Sequence, residues 1–80
     1  MNEPNQGTVV SVRGSVIDVL FPYRLPEINN ELRAGEDGEV VVEGGTQINS
    51  RVVRGIALTP ARGLARGASV LDTGRPLQVP

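Results

Sequence analysis

No stretch of this 80-residue chain repeats its apolar residues with helical spacing over ten residues or more. What recurs is a two-residue alternation in short, valine-rich runs, each cut off by glycine or proline. That pattern predicts strands and turns throughout. Gly7–Arg13 (GTVVSVR) alternates with Thr8, Val10 and Val12 on one face. After Gly14, Ser15–Phe21 (SVIDVLF) sets Ile17, Val19 and Phe21 on one face and Asp18 on the other, so the two runs predict a hairpin or a bulged corner. Pro22 ends the second run, and with Pro26 it makes Tyr23–Asn30 a loop. Glu31–Ala34 is a short strand. Gly35–Gly38 (GEDG) is a turn in which Asp37-Gly38 is a strong hairpin signal, and Glu39–Glu43 (EVVVE) turns Val40 and Val42 to one side. Gly44-Gly45-Thr46 is predicted to turn the chain into a strand over Arg51–Leu58. There Val52, Ile56 and Leu58 share a face with Arg54, which calls for a barrel mouth or a bulge. Pro60 and Gly63 mark a turn, and short strands over Ser69–Asp72 and Leu77–Val79 flank Thr73-Gly74. Met1–Gln6, polar and containing a proline, reads as a disordered leader, leaving 7–80 as one domain.

Six or seven short strands with frequent turns predict an all-β fold, and at this size a small closed six-stranded β-barrel, because closure removes exposed strand edges. The twelve valines suit a narrow interior, since branched side chains pack well on a pleated surface. A domain this small buries only about 60% of the surface of its unfolded chain. Cysteine and histidine are both absent, so neither a disulfide nor an ordinary metal staple is expected to help.

The side-chain inventory restricts the chemistry. With no His, Cys or Lys there is no Ser-His or Cys-His pair and no Schiff-base lysine, so no catalytic, cofactor-binding or metal-ligating residue is assigned. A phosphate loop of the G-x-x-x-x-G-K-[ST] type needs a lysine, and the eight basic residues are all arginine. Net charge is −1, and the aromatics are one Tyr and one Phe, which speaks against a nucleic-acid partner. An OB-like binding barrel is the alternative from outside the enzyme class, with Phe21 and Tyr23 as its thin aromatic support. No apolar run approaches the roughly 20 residues that span a bilayer. The N-terminus lacks the basic and apolar regions of a signal peptide.

Several motifs fall in order along the chain. Gly14, Val16-Ile17-Asp18-Val19 and Phe21-Pro22 are followed by Leu25-Pro26, Ile28, Asn30 and Leu32. Later come Val53-Arg54, Ile56-Ala57-Leu58, Gly63-Leu64, Arg66-Gly67, Val70, Asp72-Thr73-Gly74, Pro76 and Val79-Pro80. Together they resemble the N-terminal domain of the β subunit of bacterial F-type ATP synthases, and Arg51–Pro80 resembles the run that leads into that family's nucleotide-binding domain. The related α-subunit barrel lacks the D-V-x-F, Pro and L-P-x-I pattern, so β is favoured. Gly44-Gly45 and the polar stretch to Ser50 depart from the family, as do Glu27, Asn29 and Glu31.

The resemblance implies a barrel that alternates with α-subunit barrels in a ring, holding an α3β3 hexamer together while other domains move. It implies ATP or ADP and Mg only for the full-length parent, which couples ATP synthesis or hydrolysis to ion transport. It also implies a peripheral place on the cytoplasmic side of the bacterial inner membrane, reached through the assembled complex. Candidate interface residues are Arg13, Glu43, Arg51 and Arg54, since the planar guanidinium pairs carboxylates at two points. Gly14, Gly63, Gly67 and Gly74 are expected at sharp turns. Asp72 is expected to accept from an amide two residues on, and to pair with Arg66. V-L-D-T-G also reads like an aspartic-protease loop, but only six residues follow Gly74 and Arg75 is not small, so protease chemistry is not expected.

Overall fold

The computed structural model describes residues 4–77. Six strands, β1 (Asn5–Arg13), β2 (Val16–Leu20), β3 (Asn30–Ala34), β4 (Val40–Gln47), β5 (Val52–Ala57) and β6 (Ser69–Pro76), close into a barrel in the order β1-β2-β5-β4-β3-β6. Every neighbouring pair is antiparallel. The β1–β2 turn, the β3–β4 turn and the long β5–β6 loop therefore share one rim. The start of β1, the β2–β3 loop, the β4–β5 turn and the end of β6 share the other.

The interior is filled by Val9, Ile17, Val19, Phe21, Leu32, Ala34, Val40, Val42, Val53 and Val70, each at most 5% exposed. All six strands contribute, and removing each such side chain from water is worth about 1.5–3 kcal/mol before the entropy of ordering is counted. The faces expected for Ile17, Val19 and Phe21, and for Val40 and Val42, are the interior faces. Two strands curve tightly enough to require glycine inside. A Cβ at Gly7 would lie 2.6 Å from the Leu20 carbonyl oxygen, and one at Gly55 would lie 2.7 Å from that of Glu43.

Several local expectations change. Asn5 and Gln6 pair with Asp72 and Leu71, so β1 begins inside the stretch expected to be a disordered leader; Met1–Glu3 lie outside the described residues. Thr8, Val10 and Val12 do not share a face. A bulge between Val9 and Ser11 inserts Val10, so Val9 faces inward before it and Val12 packs against the core after it. The chain does not turn at Gly44-Gly45-Thr46. β4 continues to Gln47 through a register shift between Gly44 and Thr46, and the turn follows at residues 48–51. The tighter of the two glycines is Gly45, where a Cβ would stand 3.3 Å from the Arg54 carbonyl oxygen.

In β5 the alternation of Val52, Arg54 and Ile56 belongs to the outer wall, while Val53 and Gly55 face inward. Arg54 thus needs neither a mouth nor a bulge in its own strand. Thr73-Gly74 does not separate two strands, because β6 runs from Ser69 to Pro76 with a bulge opposite β3. Leu77 lies just past its end, and the rest of the expected Leu77–Val79 strand lies outside the described residues.

Candidate functional site: the outer wall of β1, β2, β5 and β4

Pairing register carries the outer residues into rows around the barrel. One row runs Arg13–Val16–Ile56–Glu43 across β1, β2, β5 and β4. The next runs Ser11–Asp18–Arg54–Thr46. Arg13 and Glu43 are three strands apart in a ring of six, so they stand on opposite sides of the closed barrel and point away from each other. Between them Ile56 is 46% exposed, and Leu58, just past β5, is 50% exposed. Leu58 is held in place because its amide donates to the Val41 carbonyl at 2.8 Å, and the Val41 amide donates to Thr59 Oγ1 at 2.9 Å. The wall therefore presents an apolar strip beside the Glu43 carboxylate of the neighbouring strand.

Arg54 has a partner within its own barrel. Its Nε donates to Asp18 Oδ1 at 2.9 Å and its Nη2 to Oδ2 at 3.3 Å. These hydrogen bonds, and then the charge of Asp18, hold the guanidinium above its ordinary pKa, with desolvation opposing weakly. The pair satisfies an Asp that is almost covered on the outer face. Arg51 stands apart, exposed in the β4–β5 turn at the other end of β5. Its amide donates to Asn49 Oδ1 at 2.9 Å and its carbonyl accepts from the Phe21 amide at 2.7 Å. The structure thus puts Glu43 and Arg54 on the neighbouring strands β4 and β5, Arg13 on the far side of the barrel at β1, and Arg51 near the opposite rim.

Gly14, Gly63, Gly67 and Gly74 all take positive φ, between 60° and 94°. Gly14 and Ser15 form the two-residue link of β1 and β2, and Gly74 sits in the β6 bulge. Asp72 Oδ1 accepts from the Gly74 amide at 2.9 Å, two residues on. Arg66 does not pair with Asp72. The ion pairs among the described residues are Arg54–Asp18 and Arg33–Glu31, while Asp72 receives the side chains of Asn5 and Asn30. Both carboxylate oxygens accept hydrogen bonds from within the barrel. Phe21 is core at 1% exposure and Tyr23 is 92% exposed, so the two aromatics make no stacking platform. No helix among the described residues is long and apolar enough to cross a membrane.

Sequence reasoning missed the apolar strip because it placed Ile56 and Leu58 on the interior face. Gly55 was the available signal: an inward-facing glycine between Arg54 and Ile56 sets the phase of β5.

The profile of the ATP synthase alpha/beta family, beta-barrel domain, matches residues 9–74. ATP synthase subunit beta 2 of Albidiferax ferrireducens is 59% identical over 76 residues, covering 95% of this chain and 14% of the relative. ATP synthase subunit beta 1 of Marinomonas sp. is 51% identical over 81 residues, covering 95% of this chain and 17% of the relative. Subunit beta 2 of Polaromonas naphthalenivorans is 54% identical over 77 residues, covering 96% and 16%. The chain spans about a sixth of the length of these relatives. A closed six-stranded barrel matched over most of its length in this way belongs to the ATP synthase alpha/beta family, as the N-terminal β-barrel domain of the β-subunit type.

Proposed function

We propose that this domain serves assembly: it joins α-subunit barrels in an alternating ring and holds an α3β3 catalytic hexamer together within a rotary ATP synthase. The observation that carries this reading is the outer wall on which half-exposed Ile56 and Leu58 lie beside Glu43. An apolar strip with a charged neighbour suits contact with another folded protein, the strip contributing burial and the charge contributing orientation. The six strands from Asn5 to Pro76 act as the structural unit. Nucleotide and Mg bind elsewhere in the parent subunit, and coupling of ATP synthesis or hydrolysis to ion transport belongs to the whole complex. The domain reaches the cytoplasmic face of the bacterial inner membrane only as part of that peripheral assembly.

Mixing the chain with the α-subunit barrel of its own complex, and measuring mass by analytical ultracentrifugation, tests this reading. Hetero-oligomers that weaken when Ile56 and Leu58 are both replaced by serine support it. Unchanged association in that variant removes the wall from the interface, and no association of the full-length subunits refutes the assembly role.

A further inference from the structure

The exit of β6 is fastened by side chains as well as by its ladder. Asp72 is where β6 last pairs with β1, opposite Asn5, and it also faces Leu32 of β3. Beyond it Thr73, Gly74 and Arg75 bulge opposite the single residue Glu31, and Pro76 rejoins the register at Asn30. A bulge at a strand end is a weak point, since its amides leave the ladder. Here they are caught again. Asp72 Oδ1 accepts from Asn30 Nδ2 at 3.0 Å and from the Gly74 amide at 2.9 Å, and Oδ2 accepts from Asn5 Nδ2 at 3.2 Å. Thr73 Oγ1 donates to the Glu31 carbonyl at 2.7 Å, and the Leu77 amide donates to the Asn29 carbonyl at 2.8 Å. Asn5 Nδ2 also donates to the Arg24 carbonyl at 3.0 Å, which brings in the β2–β3 loop. Asn5 and Asn30 are both buried. One carboxylate therefore joins β1, β3, β6 and a loop at a single rim, using neutral amide donors.

The direction of pull gives this arrangement its meaning. β1 begins and β6 ends at the same rim, and the two are antiparallel. A force that peels the chain past Pro76 off the wall meets the contacts one after another: first the Leu77–Asn29 bond and the Pro76–Asn30 pair, then the group gathered on Asp72. That group is the barrier before β6 begins to part from β1. Bonds to a carboxylate are roughly twice as strong as neutral ones, which suits that position.

We propose that Asp72, with Asn5, Asn30 and Thr73, forms a clasp that keeps the exit of β6 from peeling when the following chain is pulled. Movement beyond the barrel is then not passed into it. The source of the pull rests on the assembly reading above, whereas the clasp is a property of the 80-residue chain.

Hydrogen exchange on this chain tests the clasp. Asp72→Asn keeps the shape but puts an amide group where an acceptor oxygen faced a donor. The amides of Gly74, Arg75 and Leu77 should exchange about tenfold faster, the equilibrium worth of one charge-assisted bond. Amides of β2 and β5 should change much less. Val40→Ala, a core change at the opposite rim, should instead speed exchange across the whole barrel. Thr73→Val removes only the hydroxyl and should give a smaller, equally local effect, and it decides the matter if Asp72→Asn does not fold. Equal acceleration everywhere, or none at residues 74–77, overturns the clasp. A local effect in a chain that fails to assemble with the α barrel would leave the clasp standing and refute the assembly reading instead.

Discussion

The Phe21 ring occupies the space that a side chain at Gly7 would need: a Cβ there would stand 2.9 Å from Phe21 Cδ1 and 2.6 Å from the Leu20 carbonyl oxygen. The second obstacle is backbone and cannot rotate away. Gly7→Ala should therefore destabilise the barrel by about 1–3 kcal/mol, the usual range for overpacking. In a domain of this size each kcal/mol lowers Tm by about 4–8 °C, readable by circular dichroism. Gly55→Ala should behave alike, with the Glu43 carbonyl and Val42 as its obstacles. An unchanged Tm in both would mean that the barrel wall gives way freely.

Phe21 is also the largest fully buried side chain. Truncation to alanine should cost about 3–5 kcal/mol. That approaches the lower end of the total stability of ordinary domains, about 5 kcal/mol. A urea titration should show the midpoint collapsing toward zero denaturant, and a shift comparable to that of a surface substitution would contradict the packing described.

The Asp18–Arg54 pair should matter little for stability over the ordinary pH range. Arg54 has its pKa raised by Asp18, so its contribution is full below the unfolded value and is lost only as pH climbs past the folded one, beyond the ordinary arginine range. Its side chain is 40% exposed, so solvent screens the attraction. Arg54→Met should lower Tm by taking two donors from the nearly covered Asp18, and the difference from wild type should stay flat from pH 7 to pH 10. A difference that vanished within this window would assign the effect to another group.

Because Arg54 is engaged inside its own barrel, reversing its charge confounds folding with assembly. Ile56→Ser with Leu58→Ser should instead change stability by only about 0.5 kcal/mol per site. Measured by sedimentation, association with the α barrel should fall sharply. Arg51→Glu, near the other rim, should leave that association unaltered if the wall is the contact.

Arg66 provides a contrast, since its expected partner is bound elsewhere. Arg66→Ala should leave Tm within the error of about 0.5 kcal/mol expected for an exposed site. A larger loss would mean that Arg66 has a partner the present geometry does not give it.

The barrel was readable where alternation runs unbroken: Ile17, Val19 and Phe21 in β2, and Val40 and Val42 in β4, face the interior as their spacing requires. It was not readable where one residue is inserted. The bulge at Val10 reverses the phase of β1, and no side chain there announces it, because Val10 and Val12 are both valine. Gly44-Gly45 looked like a turn because glycine serves turns and close packing equally well, and only the approach of the Arg54 carbonyl to Gly45 separates the two. The turn role of Asp72 was visible in Asp-Thr-Gly. Its bonds to Asn5 and Asn30 were not, because they span 67 and 42 residues of sequence and arise only when the barrel closes.

Closure has a topological consequence as well. Asn5 and Asp72 face each other across one rim, so the chain comes in and goes out through the same doorway. A body attached in that way can be spliced into or out of a longer polypeptide with little disturbance to what lies on either side. It can also be re-cut: a short linker across the doorway with new ends opened in the Gly35–Gly38 turn would give a permuted chain with the same six neighbours. For this fold, where translation begins is a matter of genetic wiring and the ring of strands has no intrinsic first member.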